Sequence, residues 1–323
     1  MMRTTVGTQP QIIIVACCIT LRRSAYSTVG NIRSITKDGT VTKSFGYTNP
    51  SWPDLLTSVT ANGTTKDVLY EGQSQTSDLP SSGNPVTYYN GRDYTFTWTK
   101  GRQLASATVD GKQVSYTYDM SGVRSGKQVY TTSNQRTTTY TYTTLSGKVM
   151  RQQWETRNSD DTVYQAMQSL EFVYDDGNQP FAMIYKHGQT TELYYYVLNA
   201  QGDVIALLNA DGTLAASYNY GAWGNYSVHD KDGKKNTSTS FIGHINPLRS
   251  RGYYYDRETR LYYLQSRYYD FANCRFINNV PNSMLSQLYT GGVDTSIFRS
   301  GTLTVYVDQL DAFNQAISGT IRF

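Results

Sequence analysis

A short phrase recurs along this chain: an aromatic strand end, then a turn of the form Tyr-(Asp/Asn)-x-x-Gly. Its variants run from Tyr26 through Gly30 to Ile32, and return at Trp98-Thr-Lys-Gly101, Tyr118-Asp119-Met-Ser-Gly122 and Tyr142-Thr-Thr-Leu-Ser-Gly147. Further copies read Tyr174-Asp175-Asp176-Gly177, Asn199-Ala-Gln-Gly202 and Asn209-Ala-Asp-Gly212. Between turns the residues alternate, as in Val114-Ser115-Tyr116-Thr117-Tyr118, the period-two pattern of half-buried strands. Each unit predicts a hairpin in which Asp or Asn bonds the backbone two residues on and Gly takes the positive φ of the return. One hairpin cannot bury its own face, so many must lie side by side in a continuous sheet. The expected fold class is all-β, a spiral array of antiparallel β-hairpins. Residues 165–170 are too short for a helix, and the tail ends in a short irregular or helical stretch around 308–317.

Tyrosine supplies the burial such a sheet needs. Apolar residues make up 38% of the chain, below the ~45–50% of ordinary globular domains. The 29 tyrosines compensate, because each ring buries a large area while its hydroxyl still finds a polar partner. Charge is sparse, at 17% of residues with a net +4, too little for a patch that tracks phosphates, so no nucleic-acid partner is expected. Lys231, Lys234 and Lys235 are interrupted by Asp232 and Gly233 and read as a solvated loop.

Cys17, Cys18 and Cys274 make neither a disulfide framework nor a zinc spacing. No metal or cofactor is implied. Residues 12–21 are apolar but too short to cross a bilayer, and Arg22 and Arg23 close them. With Gln9, Pro10 and Gln11 separating them from Arg3 and no clean cleavage site after them, they read as a terminal strand or leader rather than a signal peptide.

The run over residues 246–277 is denser. It reads Asn-Pro-Leu-Arg-Ser-Arg-Gly-Tyr-Tyr-Tyr-Asp-Arg-Glu-Thr-Arg-Leu-Tyr-Tyr-Leu-Gln-Ser-Arg-Tyr-Tyr-Asp-Phe-Ala-Asn-Cys-Arg-Phe-Ile, and it resembles the RHS-repeat-associated core signature almost residue by residue. The turns upstream resemble the YD units of the same family, which includes bacterial RHS proteins, the BC component of insecticidal toxin complexes and the teneurins. The resemblance covers roughly residues 26–277. It implies a spiral sheet wound into a hollow shell that, in bacterial members, holds a C-terminal effector. It also marks the core positions expected to be structural: Asn246, Pro247, Arg249, Arg251, Gly252, Tyr254, Tyr255, Asp256, Leu261, Tyr262, Tyr263, Arg267, Tyr268, Tyr269, Asp270, Arg275 and Phe276. Members that release their cargo cleave themselves just after this core. Here Phe271 stands where the pattern has Pro and Cys274 where it has Gly, and beyond Asn279 the cleavage motif does not resume.

Asp256 and Asp270 are the weak candidates for a carboxylate pair sharing a proton. Each follows a Tyr-Tyr strand end, where an Asp ordinarily makes a turn. His187, His229 and His244 adjoin no nucleophile elbow, and His244 reads as a strand or loop residue. Arg249, Arg251, Arg257, Arg260 and Arg267 are interleaved with tyrosines. They are expected to stack on those rings and to pair with Asp256, Glu258 and Asp270.

The division expected is a leader or partial strand over 1–24, a YD-repeat β-shell over 25–244, the core motif over 245–278 and a variable tail over 279–323. The function expected is a non-catalytic encapsulating shell segment, incomplete or truncated, of an RHS-type polymorphic toxin or cell-surface protein, and not an enzyme. Its partners would be a C-terminal effector or other shell repeats, and its place secreted or at the cell surface. Two alternatives stand beside it: an adhesion module holding surface glycans on exposed tyrosines, and a self-cleaving aspartyl shell. Rows of solvent-facing aromatics would favour the adhesion module, and buried tyrosines the shell.

Overall fold

The computed structural model describes residues 22–26, 31–50, 52–73, 82–278, 302–306 and 318–322. A first sheet of five antiparallel strands holds β1 (Arg22–Tyr26), β2 (Ile32–Lys37), β3 (Thr40–Gly46), β4 (Ser58–Ala61) and β5 (Thr64–Asp67), in that order. The main sheet has 14 strands, again in sequence order. It runs through β6 (Leu69–Tyr70), β7 (Pro85–Tyr89), β8 (Asp93–Thr99), β9 (Gln103–Val109), β10 (Lys112–Tyr118), β11 (Arg124–Thr131) and β12 (Arg136–Leu145). It continues through β13 (Lys148–Arg157), β14 (Val163–Tyr174), β15 (Pro180–His187), β16 (Thr190–Leu198), β17 (Val204–Asn209), β18 (Leu214–Tyr220) and β19 (Tyr226–His229). Because β6 and β19 are its two edges, the sheet is open rather than closed into a barrel.

A one-turn helix, α1 (Ile242–Ile245), and a 3-10 turn over Ser250–Gly252 lead into a third sheet. Its four short strands are β20 (Tyr254–Asp256), β21 (Leu261–Tyr263), β22 (Tyr268–Asp270) and β23 (Arg275–Phe276). Beyond it, β24 (Thr302–Tyr306) pairs with β25 (Ser318–Arg322).

Two expectations change here. The described part of the tail is a strand pair rather than irregular or helical, while residues 308–317, Cys17, Cys18 and Gly30 lie outside the described residues. The strand β1 opens at Arg22, within the stretch read as a leader or partial strand. His244 belongs to the helical turn α1, which is pressed so tightly onto β18 and β19 that a Cβ on Gly243 would come 2.5 Å from Val228 Cγ1.

The period-two pattern explains the layering. In β8, Tyr94 and Phe96 are buried while Thr95 and Thr97 face out, and in β10 Val114 and Tyr116 turn inward. Outward hydroxyls pair across strands, as Thr97 does with Ser106 at 2.6 Å. Inward, Leu104, Leu170 and Leu207 are fully buried, each contributing about 1.5–3 kcal/mol.

The turns follow the Asx mechanism: Asp119 Oδ1 accepts the backbone N–H of Ser121 and of Val123, each at 2.9 Å. Gly101, Gly122, Gly147, Gly202 and Gly212 take the positive φ. Gly177 does not, since in that turn Asn178 adopts the left-handed conformation at φ 63°, which a short amide side chain tolerates.

The aromatic of the repeat has a second task. Tyr47, Tyr70, Tyr118, Tyr174 and Tyr220 each donate a hydroxyl to a main-chain carbonyl 14 to 25 positions earlier, at 2.9–3.0 Å. Trp98 does the same with its indole N–H, to Pro85 O at 2.6 Å. The position requires a large ring with a donor at its far end, and this explains why Trp replaces Tyr there.

Candidate functional site

The third sheet lies against the inward face of the main sheet, and the three residues of each of β20, β21 and β22 are all buried. Three polar centres join it to the wall.

The first is ionic. Asp256 accepts from Arg124 Nη1 through one oxygen and from Lys127 Nζ, at 2.9 Å, through the other. Lys127 also donates to Glu258 at 2.6 Å. The Arg124 guanidinium sits among the rings of Tyr263, Tyr254, Tyr116 and Tyr142, 4.2 to 5.2 Å from their centroids. Burial opposes the charges of Arg124 and Lys127, but the facing carboxylates outweigh it and hold both cations protonated well above their ordinary range. Burial likewise pushes the Glu258 carboxyl up, yet Lys127 and Arg257 bring it down to about 2.

The second centre gathers hydrogen bonds around Asp270. Asp270 accepts from the Tyr88 hydroxyl at 2.9 Å, from Asn90 Nδ2 at 3.0 Å and from the backbone N–H of Ala272 at 2.8 Å. Asn273 Nδ2 donates to Tyr88 Oη and Tyr89 O, both at 2.9 Å. Lys43, on β3, donates to Asn90 O, Ala272 O and Asn273 Oδ1, so the first sheet is tied to the same point.

The third is Arg249, 1% exposed, with its guanidinium 4.0 Å from the Tyr226 ring centroid and 4.8 Å from that of Tyr255. Its Nη2 reaches the carbonyls of Gly243, His244 and Asn246 at 3.3–3.4 Å. Asn246 accepts from Tyr196 Oη at 2.8 Å and donates to Leu248 O at 2.7 Å, while Pro247 O takes the N–H of Tyr255.

The remaining core positions are spent on packing. Leu261 is fully buried. The hydroxyls of Tyr262 and Tyr269 donate to Gly224 O and Trp223 O, and those of Tyr268 and Tyr118 share a bond of 3.0 Å. Arg251 and Gly252 both have positive φ.

Asp256 and Asp270 come to separate centres with no partner in common, so they are not a proton-sharing pair. Asp256 does open the turn after β20, its main-chain carbonyl accepting the Arg260 N–H at 2.7 Å, while both of its carboxylate oxygens are taken by wall cations. The core arginines follow expectation in part: Arg249 stacks on Tyr226 and Tyr255, and Arg257 acts on Glu258 through its charge, but the contacts of the others differ. Arg257 donates to Thr239 O, Arg260 lies 3.8 Å from Asp110, Arg267 lies over the Phe276 ring and Arg275 donates to Tyr47 Oη. The cations on Asp256 and Glu258 come instead from β11, more than a hundred residues earlier. A signal for Lys127 was present: it alternates in phase with Val129, which is buried on the same strand. For Arg124 there was none, because a bulge beside Tyr118 shifts its phase.

Beside the first centre a cavity of about 910 Å³ opens between the wall and the segment that leads into the third sheet. Its wall side carries a ladder of nearly parallel rings, with Tyr140 to Trp154 at 6.1 Å, Trp154 to Tyr185 at 6.2 Å and Tyr185 to His187 at 4.3 Å. Gln152, Gln165 and Gln168 add amides to it. His187 meets Glu192 at 3.2 Å, His229 meets Ser227 at 2.9 Å, and His244 meets Asn236 O at 2.8 Å. Burial lowers the His244 pKa. Among the described residues Tyr26 and Tyr164 are the strongly exposed tyrosines, and no group of three or more His, Cys, Asp or Glu is placed to hold a metal ion. The rings face inward, which is the outcome that favours a shell over an adhesion surface.

No family model matches the chain. It is 32% identical over 192 residues to the tRNA nuclease WapA of Bacillus subtilis (strain 168) and to the tRNA3(Ser)-specific nuclease WapA of Bacillus spizizenii. Each match takes in 58% of this chain but 7% of the relative, so the chain spans a small part of these proteins' length. It is 37% identical over 79 residues to the uncharacterised protein YlbH of Escherichia coli K12, covering 24% of this chain and 29% of YlbH. Among solved structures, TcdB2-TccC3 shares its fold, with a TM-score of 0.50 at 16% identity over 82% of this chain and 16% of that one. The same complex without its hypervariable C-terminal region also scores 0.50. One expectation is overturned by these relatives: the reading of the chain as not an enzyme does not stand beside proteins named as tRNA nucleases.

Proposed function

We infer that this chain, which belongs to the RHS/YD-repeat family, forms part of the shell of an RHS-type toxin and that its inner wall holds the effector the toxin delivers. The effector is inferred to be an enzyme of the nuclease class, after the relatives' names, with tRNA as the substrate class. The observation that carries the reading is the inward cavity of about 910 Å³, walled by stacked rings and amides. A surface of that kind offers stacking and hydrogen bonds to almost any extended polypeptide without selecting one sequence. The third sheet, fastened by its three polar centres, gives that cavity a fixed boundary.

The route is inferred to end outside the cell or at its surface. No helix among the described residues is long and apolar enough to cross a membrane. Glycan binding is not part of the reading, since the tyrosines that would stack on sugars are turned inward.

Photo-crosslinking tests it. A benzoylphenylalanine in place of Tyr185, in the full polypeptide, is expected on illumination to join peptides that follow Phe276. Crosslinks confined to neighbouring wall strands would remove the encapsulating role. Cleavage of tRNA by the same polypeptide, once opened by mild denaturant, tests the effector class, and intact tRNA would count against it.

A further inference from the structure

The segment that carries the chain from the main sheet into the third sheet is gathered around one buried cation. It runs from α1 to the 3-10 turn, and Ile242, His244, Ile245 and Pro247 put it in the boundary of the first cavity. Arg249 Nη2 collects the carbonyls of Gly243, His244 and Asn246, at the C-terminal end of α1. Its Nε and Nη1 are buried with no hydrogen-bond partner, so none of its three nitrogens bonds a carboxylate. The first centre is the opposite case, since there Arg124 and Lys127 both meet acids. Asp203, whose neighbour Val204 donates its N–H to Arg249 O, is taken up by the Ser250 hydroxyl at 2.8 Å, the Arg251 backbone N–H at 2.9 Å and Asn199 Nδ2 at 2.8 Å.

His244 stands at the same end of α1. Its Nε2 meets Asn236 O at 2.8 Å, and because a carbonyl only accepts, that nitrogen carries the hydrogen and Nδ1 of the neutral ring is left to take a proton. Burial disfavours a charged ring there, the charges of Arg249 and Arg257 add to that, and the bond to Asn236 O offsets only part of it. The acids that share the cavity are engaged elsewhere. Asp230 accepts the backbone N–H groups of Asp232 and Lys234, Asp232 holds Lys231, Glu192 meets His187 and Glu258 holds Lys127. The loop that supplies Asn236 adds Lys234 and Lys235. The titratable groups of the two strands packed on α1 are Tyr218, Tyr220, Tyr226 and His229, of which Tyr218 donates to Gly243 O and His229 is bonded to Ser227 and Gly233 O. A single helical turn offers little dipole to a cation at its end, and Arg249 already occupies its carbonyls.

We propose that His244 is an acid-operated latch on the first cavity: once protonated, it sets a further cation against Arg249 and Arg257, loosens the arginine's hold on α1 and frees residues 242–253 from the cavity boundary. The neutral ring is the form the fold favours, so the closed state is complete above the ordinary histidine range and is lost as the pH falls below it. The segment leads directly into β20, so its release opens one side of the cavity while Asp256 still fastens the third sheet to the wall. That fastening fails in a different range, because the Glu258 carboxyl is held at about 2. As a control on a held effector the latch rests on the encapsulating role inferred above; as a local opening it depends only on the groups around α1.

Hydrogen exchange of the full polypeptide tests it, read as protection factors at about pH 7.5 and about pH 5.5, on either side of the ordinary histidine value of about 6.5. Protection over residues 242–253 is expected to fall about tenfold on acidification relative to β9–β12, the effect of one added like charge at a partly buried site. His244→Gln keeps a donor for Asn236 O but takes no proton, and is expected to hold protection constant. Arg257→Gln, at an exposed position that is expected to leave the fold intact, should blunt the fall, and His229→Gln should leave it unchanged. Equal protection at both pH values in the parent, the same fall in His244→Gln, an undiminished fall in Arg257→Gln or its loss in His229→Gln would each overturn the proposal. The crosslink from position 185 at neutral pH reads the held chain and not the latch. Crosslinks with unchanged protection sink the latch alone, and a fall in protection without crosslinks sinks the encapsulating role and keeps the local opening.

Discussion

Tyr88, on β7, donates its phenolic hydrogen to the carboxylate of Asp270, 2.9 Å away and 182 residues later in the chain. The bond joins the start of the main sheet to the end of the third, and the other contacts of the third sheet repeat the pattern over spans of more than a hundred residues. The wall is built from neighbours in sequence, whereas the piece that lines it is held almost entirely by partners distant in sequence. Loss of a distant bond should therefore release the third sheet before it melts the wall.

The Arg124–Asp256 pair is the most exacting of these contacts, with side chains 1% and 0% exposed. Removing one partner strands a buried charge, so Arg124→Met or Asp256→Asn is expected to cost about 3–5 kcal/mol. Replacing both with apolar residues should recover much of that. Guanidinium unfolding followed by tyrosine fluorescence measures all three, and single variants with an unchanged midpoint would show that the pair does not hold the sheet.

Acid should loosen the same centre. The Glu258 carboxyl is held at about 2 in the fold against an ordinary 4.5, so its contribution is complete above 4.5 and is lost as the pH falls from there through 2. A loss on the order of 3 kcal/mol follows from a shift of that size. Glu258→Gln is expected to lower stability at neutral pH and to flatten the pH dependence below 4.5. Parallel curves for parent and variant in that window would mean that Glu258 is not the group titrating.

The donor at the end of each repeat ring can be tested by exchange. Trp98→Tyr keeps a ring with a far-end donor, whereas Trp98→Phe leaves Pro85 O without its indole partner. At Tyr118, Tyr118→Phe removes the bonds to Leu104 O and Tyr268 Oη. Each phenylalanine variant should cost about 1–3 kcal/mol by thermal or chemical unfolding, and Trp98→Tyr less than Trp98→Phe. Equal losses at Trp98 would assign the position to ring volume alone.

Much of the wall was legible because its instructions are local. Alternation put Tyr94, Phe96, Val114 and Tyr116 on one face, and Asp119 with Gly122 closed their turn without outside help. Where a turn had two residues able to adopt left-handed backbone, as at Gly177 and Asn178, the pattern alone could not choose between them. The core run over residues 246–277 was legible as a unit but not in its partners. Its arginines and acids suggested one another, and in the fold the ion pairs of Asp256 and Glu258 are with Arg124 and Lys127, Arg257 adding only its charge at Glu258.

The amino-acid sequence by itself determined the hairpin unit, its antiparallel succession and the aromatic inward face, because strand period and turn chemistry act over a few residues. Only the tertiary structure decided which distant cations meet Asp256 and Glu258 and which hydroxyl reaches Asp270. Those pairings depend on how the open sheet brings strands far apart in sequence around one short sheet, and a periodic pattern carries no information about which of its turns will face each other across that space.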